Sequence, residues 1–539
     1  MPDHTGPPRT APSPLAPPSP PATPAPPEPA AGPSVLYPEP PPVADRGSAS
    51  APACFGDLNL DQVITAITAG RDAYGLRPFF HAPLTDVDAV AFRHEVFLDL
   101  EDEPLRTALE AFARTLRHMR EHLEQAGTLR DVHQQRRLHL DAAHGYCAGV
   151  TRLAAALRAN APRSRGLRLI ARYLAALVAS SAFDALQAEA ARLVRELDDL
   201  SYLMTFTADR VSVALVEDQA DQDAAVARTF ARFGPPPREQ RAKRPVSLAM
   251  DRIEAAILAR VTLLYPELFA ALEAFRERYA EFLDPTVAAF DREAQFYLAY
   301  REYMQGFERA GLGFCYPTVS ATDKTLEVVG AFDPALARSL LVDDARPVCN
   351  DVALRGEERI FVVTGANQGG KTTFARLFGQ LHFLAALGCP VPARTATLFL
   401  ADQVLTHFEQ EEDARALRGK LQDELLRVRA LLERASGRSV VIMNEAFSST
   451  TTDDALLLSR KVLERLLALG VLGVWVTFID ELAAQGDAIV SLVALVDPDD
   501  PTRRTFELAR RPADGRAHAV AIARAHQLTY EELRRVLGA

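Results

Sequence analysis

The hydrophobic positions of this chain follow two different patterns, and the change falls near residue 313. Between residues 55 and 311, apolar side chains recur at alternating steps of four and three, which is the spacing of one helix face. Two such seams predict long helices that pack within one bundle, and we prefer this to an intermolecular coiled coil. The seams are Leu105, Leu109, Phe112, Leu116, Met119 and Leu123, then Leu186, Ala190, Leu193, Leu197 and Leu200.

Two local signals refine the helical region. Pro104 suits the first turn of the first long helix, because a proline there loses no helical hydrogen bond. The acidic residues 101–103 lie beside the positive end of the same helix. Residues 204–215 predict a small strand pair that interrupts the helices.

After residue 313, short apolar runs alternate with helical segments. Such runs are typical of strands buried on both faces, so they predict a largely parallel sheet. They occupy residues 326–329, 360–364, 398–400, 440–443, 471–479 and 492–496. The predicted fold class is therefore mixed, with a mainly α-helical region at residues 53–320 and an α/β domain at residues 321–539.

The first 52 residues hold about half of the chain's 37 prolines. Such a segment buries too little apolar surface to offset the entropy lost on ordering, so we predict a disordered N-terminal tail. An inert tail is preferred, and a proline-rich docking peptide is the alternative.

The net charge of −11 argues against a protein that coats nucleic acid through bulk positive charge, but it leaves local basic patches open. A solvated surface is the preferred interpretation of two basic clusters, and phosphate contact is the alternative. The clusters are Arg163, Arg165, Arg168 and Arg172, and then Arg238, Arg241, Lys243 and Arg244.

The five cysteines are scattered and form no CxxC pair, which argues against a disulfide framework or a zinc site. The chain opens on prolines rather than on a secretory signal, and it contains no apolar run of membrane-spanning length. We therefore expect a soluble cytoplasmic protein that does not associate with a membrane.

A glycine-rich loop at residues 365–372 carries the strongest chemical signal. It reads GANQGGKT, follows an apolar strand-like run and precedes a helix-like segment. In such a loop, backbone N–H groups surround phosphate oxygens at a helix N-terminus. Lys371 is expected to reach the outer phosphates, and Thr372 to hold Mg²⁺ through its hydroxyl.

A second motif supplies the partner that a phosphate-binding loop needs. Residues 439–445 form an apolar run that ends in Asn444 and Glu445. Glu445 is the candidate for polarising a hydrolytic water. Asn444 stands where an Asp is usual, so it can accept a hydrogen bond from metal-bound water but brings no charge.

Several motifs together resemble the ATPase domain of MutS-type DNA mismatch repair proteins. That family reads ND, then TGPNMGGKST, then D-x-x-x-T, then DE-x-x-x-GTST-x-D. The matching positions here are residues 350–351, residues 364–373 (TGANQGGKTT), Asp402 with Thr406, and Glu445 followed by residues 449–454. Residues 389–393 resemble the family's VPA stretch, and residues 517–528 its closing helix.

The resemblance implies an ABC-type P-loop NTPase domain that binds ATP and Mg²⁺. It implies ATP contacts from Gly365, Asn367, Gly369, Gly370, Lys371, Thr372, Thr373 and Asn350, metal contacts from Thr372 and Asn444, and catalysis by Glu445 and Lys371. It also implies DNA as a partner and a homodimer through paired ATPase domains, with the upstream helices as core and lever. The family's mismatch-binding domain is expected to be absent, and its Phe-x-Glu wedge has one coincidental match at residues 275–277.

Three departures from the family pattern bear on turnover. Asn444 replaces the metal-facing Asp, Gly419 stands at the signature serine, and Phe478 replaces the histidine that senses the terminal phosphate. Phosphate binding is therefore a safer prediction than hydrolysis. The leading hypothesis is an ATP-driven protein that binds mismatched or branched DNA in repair or recombination. The alternative is a nucleotide-gated scaffold that binds a protein partner and hydrolyses little, and a small-molecule kinase is the weakest of the three.

Overall fold

The computed structural model describes residues 32–40, 49–207, 211–215, 250–409, 419–497, 499–500 and 503–513, together with positions 528, 530, 534 and 535. Three features predicted from the sequence lie wholly or mostly outside these residues. They are the proline-rich tail at 1–52, the basic cluster at 238–244 and the closing helix at 517–528.

The helical region matches the predicted periodicity. The helices described there are α1 (Leu60–Thr68), α2 (Arg77–His81), α3 (Val87–Asp99), α4 (Glu103–Thr128), α5 (Val132–Asn160), α6 (Arg165–Val178), α7 (Ser181–Asp198), α8 (Arg252–Leu264), α9 (Pro266–Arg278) and α10 (Pro285–Glu308). On α4 the seam from Leu105 to Met119 is buried and Pro104 lies in the first turn, so both predictions are confirmed. On α7, Leu186 and Leu193 are buried in the same way.

Side-chain caps explain where several of these helices begin. Asp131, Ser164, Ser180 and Asp284 each accept a hydrogen bond from a backbone N–H in the first turn of α5, α6, α7 and α10, respectively. No single helix in the described part of the chain has both the length and the hydropathy of a membrane span. Two bent helix pairs, α6 with α7 and α8 with α9, reach those values only when each pair is taken together.

The predicted strand pair is confirmed as an antiparallel hairpin. Strands β1 (Tyr202–Phe206) and β2 (Val211–Leu215) place Met204 opposite Val213. The hairpin lies on the surface, where Met204 and Leu215 are exposed.

The α/β part contains a larger and a smaller sheet. Its elements are β3 (Thr318–Ser320), β4 (Leu326–Ala331), α11 (Pro334–Val342), β5 (Asn350–Leu354), β6 (Ile360–Gly365), α12 (Lys371–Ala386), β7 (Thr395–Phe399), β8 (Val404–Phe408), α13 (Lys420–Arg434), β9 (Val440–Asn444), α14 (Thr452–Leu469), β10 (Leu472–Val476), a 3₁₀ turn (Asp480–Ala484), β11 (Ile489–Val496) and β12 (Arg504–Arg510). The larger sheet has the order β12-β11-β6-β10-β9-β8, and the smaller has the order β3-β7-β4-β5.

The larger sheet is parallel except for its edge strand β12, which confirms the predicted largely parallel sheet. Strand β10 lies between β6 and β9, with Val474 opposite Phe361 on one side and Ile442 on the other. Parallel strands end at the same edge, so the segments after β6, β9 and β10 meet there. Strands β3, β5, β8 and β12 were not predicted from the sequence.

One hydrophobic core extends across residue 320, the predicted boundary between the helical region and the α/β domain. Helix α12 packs on the first loop of the helical region, because a Cβ added at Gly379 would lie 2.7 Å from the Leu58 side chain. The Leu84 N–H donates to the Ala386 carbonyl at 2.7 Å, and the Tyr300 hydroxyl donates to the Pro390 carbonyl at 2.6 Å. The helices and the sheet therefore support each other directly.

The prediction of a disordered tail through residue 52 is wrong for residues 32–40. Val35 and Leu36 are 1% and 0% exposed. The Val35 N–H and the Ser34 hydroxyl donate to the buried Glu293 carboxylate at 2.9 and 2.7 Å, and Arg93 Nε donates to the Leu36 carbonyl at 3.1 Å. The proline-rich composition concealed a short apolar segment whose backbone finds buried partners on α10 and α3.

Candidate functional site

The glycine-rich loop joins the end of β6 to the start of α12. Gly365 and Gly370 have φ values of 107° and 91°, which favour glycine. A Cβ at Gly365 would lie 2.9 Å from the Ala494 carbonyl oxygen on β11, and one at Gly369 would lie 2.9 Å from the Ala366 carbonyl oxygen. The tight packing of the loop against its neighbours therefore requires small residues at these positions.

Helix α12 gives the loop an electropositive end. It begins at Lys371 and runs for 16 residues, and its inner face buries Phe374, Ala375 and Phe378 against the sheet. The first backbone hydrogen bond at this end runs from the Phe374 N–H to the Gly370 carbonyl, at 2.9 Å. The preceding N–H groups, including those of Thr372 and Thr373, have no helical acceptor, so they can bind an anion.

Lys371 is 4% exposed and its ammonium group is held by the loop itself. Nζ donates to the carbonyl oxygens of Gly365 at 2.8 Å and Ala366 at 3.2 Å, and it lies 3.5 Å from Asn367 Oδ1. Its remaining side faces the ring of Phe478, whose centroid is 4.5 Å away. Burial lowers the pKa of Lys371, and the Glu445 carboxylate partly opposes that shift.

Glu445 follows the last residue of β9. Its φ is 56°, and its N–H donates to the Val476 carbonyl on β10 at 3.0 Å, which fixes the turn. Burial raises the pKa of Glu445, against the opposing charge of Lys371. The two motifs predicted from the sequence are thus brought together at one edge of the sheet.

Asn444 is buried beside this site but does not line the pocket described below. It is 7% exposed, and its Oδ1 has no hydrogen-bond partner among the described residues. This orphaned acceptor fits a hydrogen bond from an ordered water. Thr372 and Glu445 do line the pocket, and no group of three metal-binding side chains was found in the described part of the chain. Two oxygen donors beside a helix N-terminus fit Mg²⁺, which binds to one or two protein oxygens and keeps phosphate oxygens and water as its other ligands.

Lys371, Thr372 and Glu445 line a pocket of about 690 Å³, a size within the range of small-molecule sites. Its polar lining also includes Asn367, and its apolar lining includes Leu336, Leu340, Pro347, Val348, Phe478 and Phe506. A pocket with both kinds of lining has the size and chemistry that a nucleotide needs.

Asn350 connects the pocket to the edge strand β12. Its Nδ2 donates to the Phe506 carbonyl at 3.2 Å, and its Oδ1 accepts from the Leu508 N–H at 2.8 Å. Phe506 has a φ of 60°, and its Cα would lie 3.8 Å from a Cβ at Gly370. Sequence analysis did not identify Phe506, although it is the one aromatic residue in an otherwise polar run at residues 503–507.

Other motif residues have structural partners away from the pocket. Asp402 accepts from the hydroxyls of Ser436 at 2.5 Å and Ser439 at 3.0 Å. Thr406 donates to Asp57 at 2.6 Å, which ties β8 to the helical region. Gly419 is the N-cap residue of α13, and residues 410–418 before it lie outside the described part of the chain.

Two further features concern positions outside the pocket. Phe275, in the formal Phe-x-Glu match, is fully buried in α9, which supports coincidence as the explanation.

Sequence analysis also missed a buried pair of side chains, Glu424 and His407, outside the pocket lining. Glu424 accepts from the Phe447 N–H at 2.6 Å and lies 3.3 Å from His407 Nε2. Burial acts to raise the pKa of Glu424, but these hydrogen bonds outweigh it and lower the pKa.

Comparison with known proteins gives a consistent result. The family described as MutS domain V matches residues 361–506. The chain is 35% identical over 158 residues to the DNA mismatch repair protein MutS of Erythrobacter litoralis, which covers 29% of this chain and 18% of the relative. It is 32% identical over 238 residues to Endonuclease MutS2 of Thermus thermophilus, which covers 39% of this chain and 32% of the relative.

A third relative, the DNA mismatch repair protein MutS 2 of Halobacterium salinarum, is 28% identical over 261 residues, 44% of this chain and 30% of the relative. The chain thus matches at most about a third of the length of these relatives. The matched family segment contains the glycine-rich loop, Glu445 and Phe506. Residues 361–506 therefore match a MutS domain V, and over this part the chain is similar to MutS and MutS2 proteins.

Proposed function

We propose that this protein binds ATP with Mg²⁺ in the pocket beside Lys371 and acts on DNA as a MutS-type ATPase in repair or recombination. One observation carries the proposal: Lys371, Thr372 and Glu445 line the same pocket at the N-terminus of α12. A phosphate-binding loop and a carboxylate at the end of a nearby parallel strand are the two parts that nucleotide hydrolysis requires.

Each residue then has a role that follows from its position. Lys371 and the first N–H groups of α12 neutralise the phosphate oxygens, and Gly365, Gly369 and Gly370 let the backbone approach them. Thr372 would hold Mg²⁺, which supplies charge neutralisation at the outer phosphates when it is bound. Asn444 would position a water near that metal, and Glu445 would orient the attacking water.

The apolar lining of the pocket suits the base of the nucleotide. Phe506 lines the pocket, and its backbone is held by Asn350. Pro347 and Val348 line the same pocket. Stacking and apolar contact with these residues would position the nucleotide while the loop binds its phosphates.

Helix α12 provides a path from the pocket to the helical region. Its first residue, Lys371, donates to the carbonyls of the glycine-rich loop. Its last carbonyl, that of Ala386, accepts a hydrogen bond from the Leu84 N–H. Arg93 on α3 donates to the neighbouring Leu387 carbonyl at 2.7 Å. We propose that two copies pair through their ATPase domains in the cytoplasm, and that closure around ATP reaches the helices by this route.

Exposed arginines on α6 offer a surface for the DNA backbone. In the basic cluster at residues 163–172, Arg165 forms ion pairs with Asp88 and Glu95, both at 2.8 Å. Arg168 and Arg172 are exposed one helical turn apart, and no described residue forms an ion pair with either. Phosphate contacts of this kind read charge and shape rather than base sequence.

A DNA-stimulated ATPase assay tests the proposal. The natural chain should hydrolyse ATP faster when duplex, mismatched or branched DNA is added. Lys371→Ala should bind ATP about 10- to 100-fold more weakly. Glu445→Ala should bind ATP and hydrolyse it at least about 100-fold more slowly. ATP binding that is unaffected by Lys371→Ala would contradict the assignment of the pocket.

A nucleotide-gated scaffold with little turnover is the second candidate. Two observations favour it: Asn444 brings no charge, and Phe478 covers the Lys371 ammonium. Tight ATP binding without Glu445-dependent hydrolysis, with or without DNA, would support the scaffold over the ATPase.

A further inference from the structure

The turn that presents Glu445 contains two residues in the left-handed region of φ. Glu445 has a φ of 56° and Phe447 a φ of 64°, although neither is a glycine. Such a conformation is strained for a residue with a side chain, and it persists only where the surroundings impose it. The Glu445 N–H donates to the Val476 carbonyl at 3.0 Å, which fixes the first of these residues. The second needs a partner of its own.

Glu424 on α13 is the partner of Phe447. Its Oε1 accepts from the Phe447 N–H at 2.6 Å, and its Oε2 accepts from the Ser449 hydroxyl at 3.3 Å. Glu424 is 4% exposed and Phe447 is fully buried, so water does not compete for these hydrogen bonds. The carboxylate therefore holds the chain just beyond Glu445 at two points.

Glu424 is itself held by the larger sheet and by α13. Nε2 of His407 lies 3.3 Å from Glu424 Oε1, and His407 is buried on β8, the strand beside β9. Nearer the surface, Lys420 at the start of α13 pairs with Glu409 at 2.7 Å, and Glu409 also accepts from the Ser448 hydroxyl at 3.2 Å. The first part of α13 is therefore tied to the turn after β9 through two carboxylates.

We propose that Glu424 is a positioning residue for Glu445. It acts through the Phe447 backbone and keeps the Glu445 carboxylate where it can orient the attacking water. Glu445 lines the pocket and Glu424 does not, so the loss of Glu424 should affect turnover rather than ATP binding. This inference rests on the proposed ATPase function and adds to it a residue outside the pocket.

The expected effect follows from how strictly the geometry of a catalytic group controls the rate. A displacement of about 1 Å can lower the rate about 100-fold. Without Glu424, the Phe447 N–H loses its acceptor and the strained turn is free to relax toward an ordinary backbone conformation. We therefore expect Glu424→Ala to lower kcat about 10- to 100-fold and to leave the ATP affinity within about twofold.

The test measures steady-state ATP hydrolysis and equilibrium ATP binding on the full chain and on single variants. Rates are expressed per ATP-binding site, so that a loss of folded protein does not count as a loss of kcat. Glu424→Gln keeps an acceptor for the Phe447 N–H, and it should retain kcat within about threefold. Glu433→Ala is the matched control, because Glu433 is an exposed glutamate of the same helix that pairs with Arg429 at 2.8 Å. The control should retain both kcat and ATP affinity.

The double variant Glu424→Ala with Glu445→Ala separates positioning from a purely structural role. If Glu424 acts through Glu445, its removal from a chain that already lacks the Glu445 carboxylate should lower kcat by less than about twofold further. Losses that multiply in the double variant, a natural kcat in Glu424→Ala or an equal loss in Glu433→Ala would overturn the inference.

The same measurements distinguish this inference from the proposed function. If the natural chain does not hydrolyse ATP, the proposed ATPase function fails and the role of Glu424 fails with it. If the natural chain hydrolyses ATP in a Glu445-dependent way and Glu424→Ala does so at the same rate, only the role of Glu424 fails.

Discussion

The side chain of Asn350 holds the backbone of Phe506 against the glycine-rich loop. The amide donates to the Phe506 carbonyl at 3.2 Å, and its oxygen accepts from the Leu508 N–H at 2.8 Å. Phe506 adopts a left-handed backbone conformation there, with a φ of 60°, which a bulky residue reaches only when its surroundings impose it. The position of Phe506 in the pocket lining thus depends on one side chain from a neighbouring sheet.

Asn350→Ala is therefore expected to weaken nucleotide binding about 5- to 150-fold, because Phe506 loses two hydrogen bonds of about 0.5–1.5 kcal/mol each. Titration of ADP against both proteins measures this. Asn350→Asp keeps the acceptor for Leu508 and loses the donor to Phe506, but it also adds a negative charge to the pocket lining, so it should bind nucleotide at least as weakly as Asn350→Ala. An Ala variant with the natural affinity would show that Asn350 does not position the pocket.

The exposed arginines on α6 should control the salt dependence of DNA binding. Each lost arginine–phosphate contact lowers the slope of log affinity against log salt concentration by about 0.9. Replacing Arg168 and Arg172 together by Ala should reduce the slope by about 2 units. Arg192→Ala is the control, because that exposed arginine already pairs with Glu196 at 2.8 Å. An equal effect of the control, or an unchanged slope in the double variant, would exclude this surface.

The buried segment at residues 32–40 should contribute measurably to stability. Leu36 is fully buried, so Leu36→Ala should lower the free energy of unfolding by about 2–5 kcal/mol. Glu39 is exposed in the same segment, and Glu39→Ala should change the free energy of unfolding by less than about 0.5 kcal/mol. Urea denaturation of the natural chain and of the two variants measures these free energies. Equal stabilities would mean that this segment does not pack as described.

Much of the α/β architecture could be predicted from the sequence because its central strands are continuous apolar runs. The edge strands could not. Strand β12 mixes polar and apolar residues without a regular pattern, and it is recognisable only through its pairing with β11. The same limit applied to Ser34 and Val35, whose buried hydrogen-bond partner Glu293 lies more than 250 positions away.

The motifs located the candidate site, but spacing alone could not orient its side chains. It did not show that the Phe478 ring faces Lys371, or that Asn444 lies behind the pocket wall rather than on it. Both facts depend on how β6, β9 and β10 lie side by side in the sheet. The roles assigned to the individual site residues remain predictions.

A buried acid in the helical region should make stability depend on pH. Asp291 on α10 is fully buried and pairs with Arg120 at 2.6 Å, but its Oδ1 has no partner among the described residues. Burial raises the pKa of Asp291 to about 6, against the opposing charge of Arg120. A raised folded-state pKa adds stability below the unfolded value of 3.8, and that stability is lost as the pH rises through about 6.

When the pH rises from 4 to 7, the ionisation of Asp291 should therefore lower the free energy of unfolding by on the order of 2–3 kcal/mol. Asn does not titrate, so Asp291→Asn should flatten the pH profile over this range. Urea denaturation of the natural chain and the variant at both pH values checks this. Parallel profiles would show that Asp291 titrates normally in the folded protein.

The most direct test of the nucleotide pocket is equilibrium binding of Mg²⁺–ATP to the natural chain and to Lys371→Ala, measured side by side by calorimetry. Lys371 is the cation that we expect to bind the phosphates, and the loss of one charge-assisted hydrogen bond costs about 1.5–3 kcal/mol. We predict saturable binding of one ATP per natural chain and an affinity about 10- to 100-fold lower in the variant. Identical binding by the two proteins, or no binding by the natural chain, would contradict the assignment of this pocket to ATP.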